Sequence, residues 1–409
     1  MVILIIPIDF FSDDVYKLLS SLDTSSSMGP DGIHPYLLNK CAINLTYPLF
    51  LIFRKSLSTA SLPLAWKRSL IIPIFKKGTR QDPLNYRPIS LTSVSCKMFE
   101  KLIVNQLNVY LDNNSLICNQ QFGFRKNRSV EDQLLLTYND ITSWLDSGYF
   151  CDLILFGFMK AFDVVNHQIL LTKLSSIGIG HPLLGWIADF LTNRTTQVAV
   201  SSSCSSPTTV LSGVPQGSVL GPILFLIFIN FVPNGVHSRF MIFADDLKIF
   251  LSVQKSSISS ILTDLNIAQQ DINHVVSTAQ SWGLSLNTSK SAVIRFQRGN
   301  FDWKLLGPYS DYYIGNSKIK FVNSHSDLGI TIDSSLRFHA HINTIVCKAN
   351  GLASNLLRST INRSPSFMIP VYKTHIRPIL EVRGHRKTSK FFLSNLDVIQ
   401  QFIESLKLQ

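Results

Sequence analysis

Val15, Leu18, Leu19 and Leu22 fall at i, i+3, i+4 and i+7, which predicts a helix with one apolar face capped by Ser12. It ends before SSSMGPDGIHP, a Gly/Pro turn cluster. SLIIPIFKKG reads as a strand broken by Pro73 and closed by Gly78. A long helix follows near 94–112, with Phe99, Leu102, Ile103, Leu107 and Tyr110 on one face. FGFRKNRS is a basic loop before another helix. ILFGFMKAFDVVNH, residues 154–167, reads as a buried strand running into a helix, with helices near 167–176 and 182–193 and a short strand at TQVAV. SGVPQGSVLGP is a Gly/Pro-rich loop leading into an apolar helix. In RFMIFADDLKIFLS, apolar residues alternate at Phe240 and Ile242, then at Leu247, Ile249 and Leu251, on either side of two acids. That pattern predicts a β-hairpin with Asp245 and Asp246 at or near its tip. An amphipathic helix fills 256–282 and stops at Gly283, SAVIRF and DLGITID are later strands, and the pattern past about 336 is helical. Strands and helices mix without strict βαβ alternation, so the fold class is α+β.

Composition narrows the partners. Of 409 residues, 45% are hydrophobic and 27 are Phe, which is a chain able to pack large cores and not a disordered one. The net charge of +12 favours polyanions through Coulomb attraction and counterion release. The six cysteines are scattered without metal-like spacing, which argues against a disulfide framework or a zinc site and fits a reducing compartment. MVILIIPI lacks the flanks of a signal peptide. The longest apolar run, PILFLIFINFV, falls well short of the roughly 20 residues that span a bilayer. The expectation is an intracellular protein, in nucleus or cytoplasm, with no membrane partner. The abrupt start suggests a piece of a longer protein.

Three features are able to carry chemistry. Adjacent strand side chains point to opposite faces, but at a hairpin tip both Asp245 and Asp246 can approach one cation. The plain alternative is a solvated Asp-Asp turn. In GVPQGS, Gly213 and Gly217 let the backbone approach a ligand and Gln216 offers an amide, although an ordinary tight turn has the same composition. Basic residues recur in loops: Lys76, Lys77 and Arg80 in FKKGTR, Arg87 in NYRPIS, and Arg125, Lys126 and Arg128 in FRKNR. Singly each reads as a solvated face; together they read as phosphate contacts.

Taken together, GPDGIHP, WKRSLIIPIFKKG, NYRPISLTS, QFGFRKNRS, KAFDVVNH, GVPQGSVLGPILFLIFIN, FADD, LNTSKS and LGITID, in this order, resemble the reverse transcriptase domain of non-LTR retrotransposons of the LINE type, close to the jockey-like elements. The resemblance spans roughly residues 10–380. It implies a right-hand polymerase fold with palm, fingers and a partial, mostly helical thumb. It implies RNA-directed DNA synthesis from an RNA template, a DNA primer and dNTPs, with two Mg²⁺ ions. Asp245 and Asp246 match the family's paired metal-binding acids. Gln216 matches a residue of the dNTP-binding loop, and Phe162 the bulky side chain that excludes a ribose 2′-OH. Lys76 or Lys77 and Arg87 match finger residues that bind the triphosphate, while Arg125, Lys126 and Arg128 lie in a basic loop suited to nucleic acid.

The family pattern Asp-Phe-Ser-Lys-Ala-Phe-Asp reads Gly157-Phe158-Met159-Lys160-Ala161-Phe162-Asp163 here. Gly157 stands where the resemblance implies the first metal-binding acid. Asp163 has a counterpart of its own in the family, and Asp152 lies five residues back along the strand, some 16 Å at about 3.3 Å per residue. Neither fills the gap. Phe231 stands where the family usually has Asp, and VRGHRKTSKFF replaces an aromatic-rich continuation. These departures suggest a degenerate copy. The expected division is an extension over 1–62, fingers and palm over 63–335, and a partial thumb or degenerate segment over 336–409. The expected function is a reverse transcriptase domain impaired at Gly157. The alternative is a catalytically dead relic that still binds nucleic acid.

Overall fold

The structure, a computed structural model, describes residues 8–76 and 78–381. The opening MVILIIP, Lys77 and the VRGHRKTSKFF segment lie outside the described residues.

Helices α1 (Ser12–Ser20), α2 (Pro35–Lys40) and α3 (Ala42–Ser58) lead into strands β1 (Arg68–Phe75) and β2 (Tyr86–Leu91). Helices α4 (Val94–Asn113) and α5 (Val130–Asp146) precede strand β3 (Phe150–Phe156). Then come α6 (His167–Ser176), α7 (Leu183–Leu191), β4 (Arg194–Val200), β5 (Ser203–Cys204), β6 (Thr208–Val210) and α8 (Gly221–Ile229). The hairpin β7 (Arg239–Phe243) and β8 (Asp246–Val253) is followed by α9 (Ile258–Ser281) and β9 (Ala292–Phe296). Short strands β10 (Tyr313–Ile314), β11 (Ser317–Lys318), β12 (Lys320–Phe321), β13 (Ser324–Asp327) and β14 (Ile330–Asp333) lead to helices α10 (His339–Ser359), α11 (Pro365–Val371) and α12 (Arg377–Leu380). The result is a mixed α and β chain, as the patterning predicts.

Two sheets matter most. One runs β12-β9-β3-β8-β7, with β3 antiparallel to both β8 and β9. The other joins β2, β1 and β4, with β5 and β6 on the far side of β4. All of β3 is buried because both its faces are covered. Cys151, Leu153 and Leu155 pack with Ile141 and Leu145 of α5, while Phe150, Ile154 and Phe156 join the larger core that holds α8 and α9. Asp152 survives in this strand because Arg295 donates two hydrogen bonds to it, at 2.7 and 2.6 Å, and the Tyr312 hydroxyl donates a third at 2.8 Å. It is fully committed and far from solvent.

Four local expectations need correction. Helix α1 is capped at Phe11, whose N–H donates to the Asp14 carboxylate, and Ser12 is already inside it. Pro73 does not break its strand. It lies opposite Pro88, and because Lys76 donates to the Asn85 carbonyl, the alternating ladder leaves the Pro73–Pro88 pair between hydrogen-bonded pairs, where no N–H is needed. DLGITID is not one strand: Leu328 and Gly329 take positive φ and turn β13 back onto β14. Finally, the strand ending at Phe156 does not run straight into a helix. A turn around 160–164 intervenes, and α6 begins at His167 behind an Asn166 cap.

Candidate active site

The two acids lie at the tip of the β7–β8 hairpin. Phe243 pairs with Asp246, leaving Ala244 and Asp245 as the turn, with Ala244 at a φ of 55°. The tip is braced from outside. The Phe122 N–H donates to the Ile242 carbonyl at 2.9 Å and the Ile242 N–H donates to the Gln120 carbonyl at 2.9 Å. The Gln121 side-chain oxygen accepts from the Ala244 N–H at 3.1 Å. Sequence reasoning missed this strap, since nothing in the pattern of residues 120–123 marks it as a partner for the hairpin edge.

Gly157 is the residue after β3. The β3–β8 register ends with Phe156 opposite Leu247, so one step further sets Gly157 beside Asp246. On the other side, Leu155 pairs with Ala292, so Lys290 falls beside Gly157. The Asn287 N–H donates to the Gly157 carbonyl at 2.7 Å and folds the 287–290 turn over the glycine. A Cβ on residue 157 would lie 2.7 Å from the Lys290 Cβ, closer than such atoms approach. Lys290 is a second residue that sequence reasoning left without a role, though it sits inside LNTSKS, one of the segments that carries the resemblance.

Electrostatics at the tip are crowded. Burial pushes the Asp245 carboxyl above its ordinary range, while Lys290, Lys76 and Arg87 pull it back. Asp246 keeps an exposed edge, yet the protein packed around it, the neighbouring Asp245 charge and the more distant Asp327 push it up to about 6. Lys76 ends the β1 side of the β1–β2 hairpin, Arg87 sits opposite Ile74 on β2, and both are exposed. Lys77 cannot be placed, as it lies outside the described residues.

The GVPQGS loop docks on the turn after Gly157. Val214 and Gly213 donate from their N–H groups to the carbonyls of Phe162 and Val165, both at 2.9 Å. The Gln216 side-chain amide donates to the Asp163 carboxylate at 2.7 Å, and the Gln216 backbone carbonyl accepts from the Ser90 N–H at 2.7 Å. Gly217 is required: its φ is 122° and a Cβ would lie 2.4 Å from the Ser90 carbonyl oxygen. Buried Glu100 accepts from the Val219 and Leu220 N–H groups, at 2.7 and 2.9 Å, and so holds the end of the loop where α8 starts. A cleft of about 210 Å³ opens beside Gln216, Asp163, Ser90 and Pro88. Its lining includes neither Asp245 nor Asp246.

Phe162 stacks on Phe225 with ring centroids 4.0 Å apart and meets Phe124 edge-on. In the basic loop, Arg125 donates to the Cys118 carbonyl and pairs with Asp112, and Arg128 lies over the Phe122 ring. Lys126 is exposed. Arg125 and Arg128 therefore shape the loop as well as charging it.

Do these residues fit two divalent ions? Among the described residues no cluster of three or more His, Cys, Asp or Glu side chains could hold a metal. Asp245 and Asp246 offer carboxylates, Gly157 offers none, and the space where its side chain would start is filled by Lys290. The donor set does not fit a two-metal centre.

A hairpin bearing two acids is thus set against a buried antiparallel strand, with exposed Lys76, Arg87 and Lys290 acting on Asp245. The family model described as reverse transcriptase (RNA-dependent DNA polymerase) matches residues 74–325, and the chain belongs to that family. It is 29% identical over 340 residues to the "Probable RNA-directed DNA polymerase from transposon BS" of Drosophila melanogaster, covering 81% of this chain and 36% of that protein. It is likewise 29% identical over 406 residues to the "RNA-directed DNA polymerase from mobile element jockey" of Drosophila funebris, covering 95% of this chain and 43% of that protein. A more distant relative, the "Putative 115 kDa protein in type-1 retrotransposable element R1DM" of Drosophila melanogaster, is 24% identical over 84% of this chain and 32% of that protein. The chain thus spans about a third to two fifths of the length of these curated relatives. Among the described residues, no helix is long and apolar enough to cross a membrane.

Proposed function

We propose that this chain is the reverse transcriptase domain of a non-LTR, jockey-like retrotransposon in which the nucleic-acid cleft persists and the chemical step is impaired. On this reading the β12-β9-β3-β8-β7 sheet is the palm, the sheet carrying Lys76 and Arg87 belongs to the fingers, and α10 onward begins a helical thumb. Residues 63–335 then form fingers and palm, preceded by an extension over 1–62. The ligands are an RNA template, a DNA primer and dNTPs. Lys126 with Arg125 and Arg128 faces phosphates, and Phe162 limits the sugar.

One observation carries the impairment: Gly157, beside Asp246, has no carboxylate and no room for one while Lys290 keeps its place. In the family reaction the primer 3′-oxygen attacks the α-phosphate and pyrophosphate leaves, so negative charge must be offset where it builds up. Losing about 4–6 kcal/mol of transition-state stabilisation slows such a step roughly 10³- to 10⁴-fold. A catalytically dead nucleic-acid-binding domain is the limiting form of the same reading, and the Lys290 contact favours it.

Primer extension on an RNA template with dNTPs and Mg²⁺, run beside duplex binding in rising salt, tests the proposal. The expected result is salt-sensitive duplex binding with little or no extension. Robust extension by the unmodified chain overturns the impairment. Duplex binding that is absent, or flat with salt, overturns the cleft.

A further inference from the structure

Among the described residues, Lys67 and Lys248 are the buried lysines, and each closes on a carboxylate, Asp189 and Asp327 respectively. Lys173 departs from that rule. It projects from α6 and is half-buried, and among the described residues it has no carboxylate within ion-pair distance. Its Nζ donates to the Phe228 carbonyl near the end of α8 at 2.9 Å. Three rings surround it, with centroids at 2.7 Å for Trp282, 4.9 Å for Phe228 and 5.3 Å for Phe231. Trp282 directly follows α9, and Phe231 lies just past α8. Among the described residues no charged group of these elements acts on the amine, and burial alone moves it. Two effects then oppose each other. A cation over desolvated rings is favoured by up to roughly 30-fold. Burial without a counter-charge works against the ammonium by roughly 10³-fold, from 10.5 to about 7, and it wins. The Phe228 carbonyl does not reverse this, since it accepts from an amine as it does from an ammonium.

We propose that Lys173 is a reactive amine that takes up small aliphatic aldehydes as an imine. A desolvated lysine in an apolar pocket is the arrangement that turns this side chain into a nucleophile toward carbonyl carbon. The neutral nitrogen attacks the carbonyl carbon, its proton passes through water to the oxygen, and a water molecule leaves as the C=N bond forms. The side chain is only half-buried, so a one-carbon aldehyde has access to it. The rings of Trp282, Phe228 and Phe231 offer the added carbon apolar contact. These elements carry neither Asp245 nor Asp246, so the inference stands apart from the reading of the acidic tip.

Limiting formaldehyde with cyanoborohydride, which reduces the imine to a methylamine, tests this on the full chain, with the labelled lysines ranked by peptide mass. At pH 7.5 Lys173 should label at least about tenfold faster than exposed Lys55 and Lys126, while Lys248, closed on Asp327, stays unlabelled. From pH 7.5 to pH 9 an ordinary lysine gains roughly thirtyfold in neutral amine, and one already deprotonated gains almost none. The lead of Lys173 over Lys55 should therefore shrink at least about tenfold across that range. Phe231→Asp, which supplies a carboxylate, should cut Lys173 labelling at pH 7.5 at least about tenfold. Phe231→Leu removes the ring without adding charge and should keep labelling within about threefold of the parent. The parent decides the claim even if a variant unfolds: a Lys173 that labels no faster than Lys55, or a lead that does not move with pH, overturns the inference. Lys248 labelling alongside Lys173 would assign the reactivity to opening of the chain and overturns it as well. So does equal labelling in Phe231→Leu and Phe231→Asp when both keep the parent's urea midpoint.

Discussion

Phe162 lies face to face on Phe225, with 4.0 Å between ring centroids and 18° between ring planes. The stack pins a side chain that would otherwise swing, and Phe124 closes one edge of it. A pinned ring excludes an extra hydroxyl by volume, so Phe162→Val should bring ATP and dATP affinities to within about threefold of each other. Parallel titrations with the two nucleotides check this. A parent that already binds both equally, or a variant that still rejects ATP, would place the ring outside the sugar's reach.

Steric conflict at Gly157 predicts a coupling energy. Its φ is not in the positive range, so Gly157→Ala would ordinarily be neutral or mildly stabilising. The Lys290 Cβ at 2.7 Å reverses that sign, and overpacking of this kind costs about 1–3 kcal/mol. In a Lys290→Gly background the penalty should fall below about 1 kcal/mol. Urea melts of the four proteins of that cycle give the number. Additive changes would mean that the 287–290 turn yields freely, and then Gly157→Asp alone should rescue extension.

Lys248 and Asp327 form a buried ion pair that ties β8 to the β13–β14 hairpin. Removing one partner strands a charge, so Lys248→Met should cost about 3–5 kcal/mol. Lys248→Met with Asp327→Leu should recover most of that loss, because two apolar side chains need no partner. Denaturant midpoints of both singles and the double decide it.

Lys173 predicts a pH dependence. Its ammonium donates to the Phe228 carbonyl at 2.9 Å and lies over the rings of Trp282, Phe228 and Phe231, while burial pushes it down from 10.5 to about 7. Between about 7 and 10.5 the unfolded chain holds a proton that the folded chain has shed. Stability contributed by this group therefore rises with pH across that window, and is at its lowest below 7, where both states are charged. The stability of the parent relative to Lys173→Met should increase from pH 6 to pH 9. Phe231→Asp, which supplies a carboxylate, should hold Lys173 charged and flatten the difference. A parent-to-variant gap that does not move with pH would refute this.

The hairpin was legible because Phe240, Ile242, Leu247, Ile249 and Leu251 alternate along one face; that β8 is covered on its other face too, at Lys248 and Phe250, was not. Gly157 stood out too, as the position where the resemblance implies an acid. Lys290 was not, because its meaning comes from a cross-strand neighbour 133 positions away, a separation along which no periodicity runs. Pro73 misled for the same reason. Whether a proline breaks a strand depends on which ladder position it meets, and that is set by its partner Pro88. Leu328-Gly329 turned a predicted strand into a hairpin through positive φ at two positions, only one of which is glycine.

The strap at Gln120–Phe122 has a mechanical consequence. It is bonded to Ile242 in both directions along the outer edge of β7, and the segment bearing Arg125, Lys126 and Arg128 follows it within a few residues. Tension on that segment is therefore delivered to the turn at Ala244 and Asp245 with little slack between them. A polyanion that grips the basic loop would pull on the acidic tip like a hand on a short lever. The same bonds occupy donors and acceptors that an intruding strand from another molecule would need, so the outermost strand of this sheet is sealed over that stretch against edge-to-edge polymerisation.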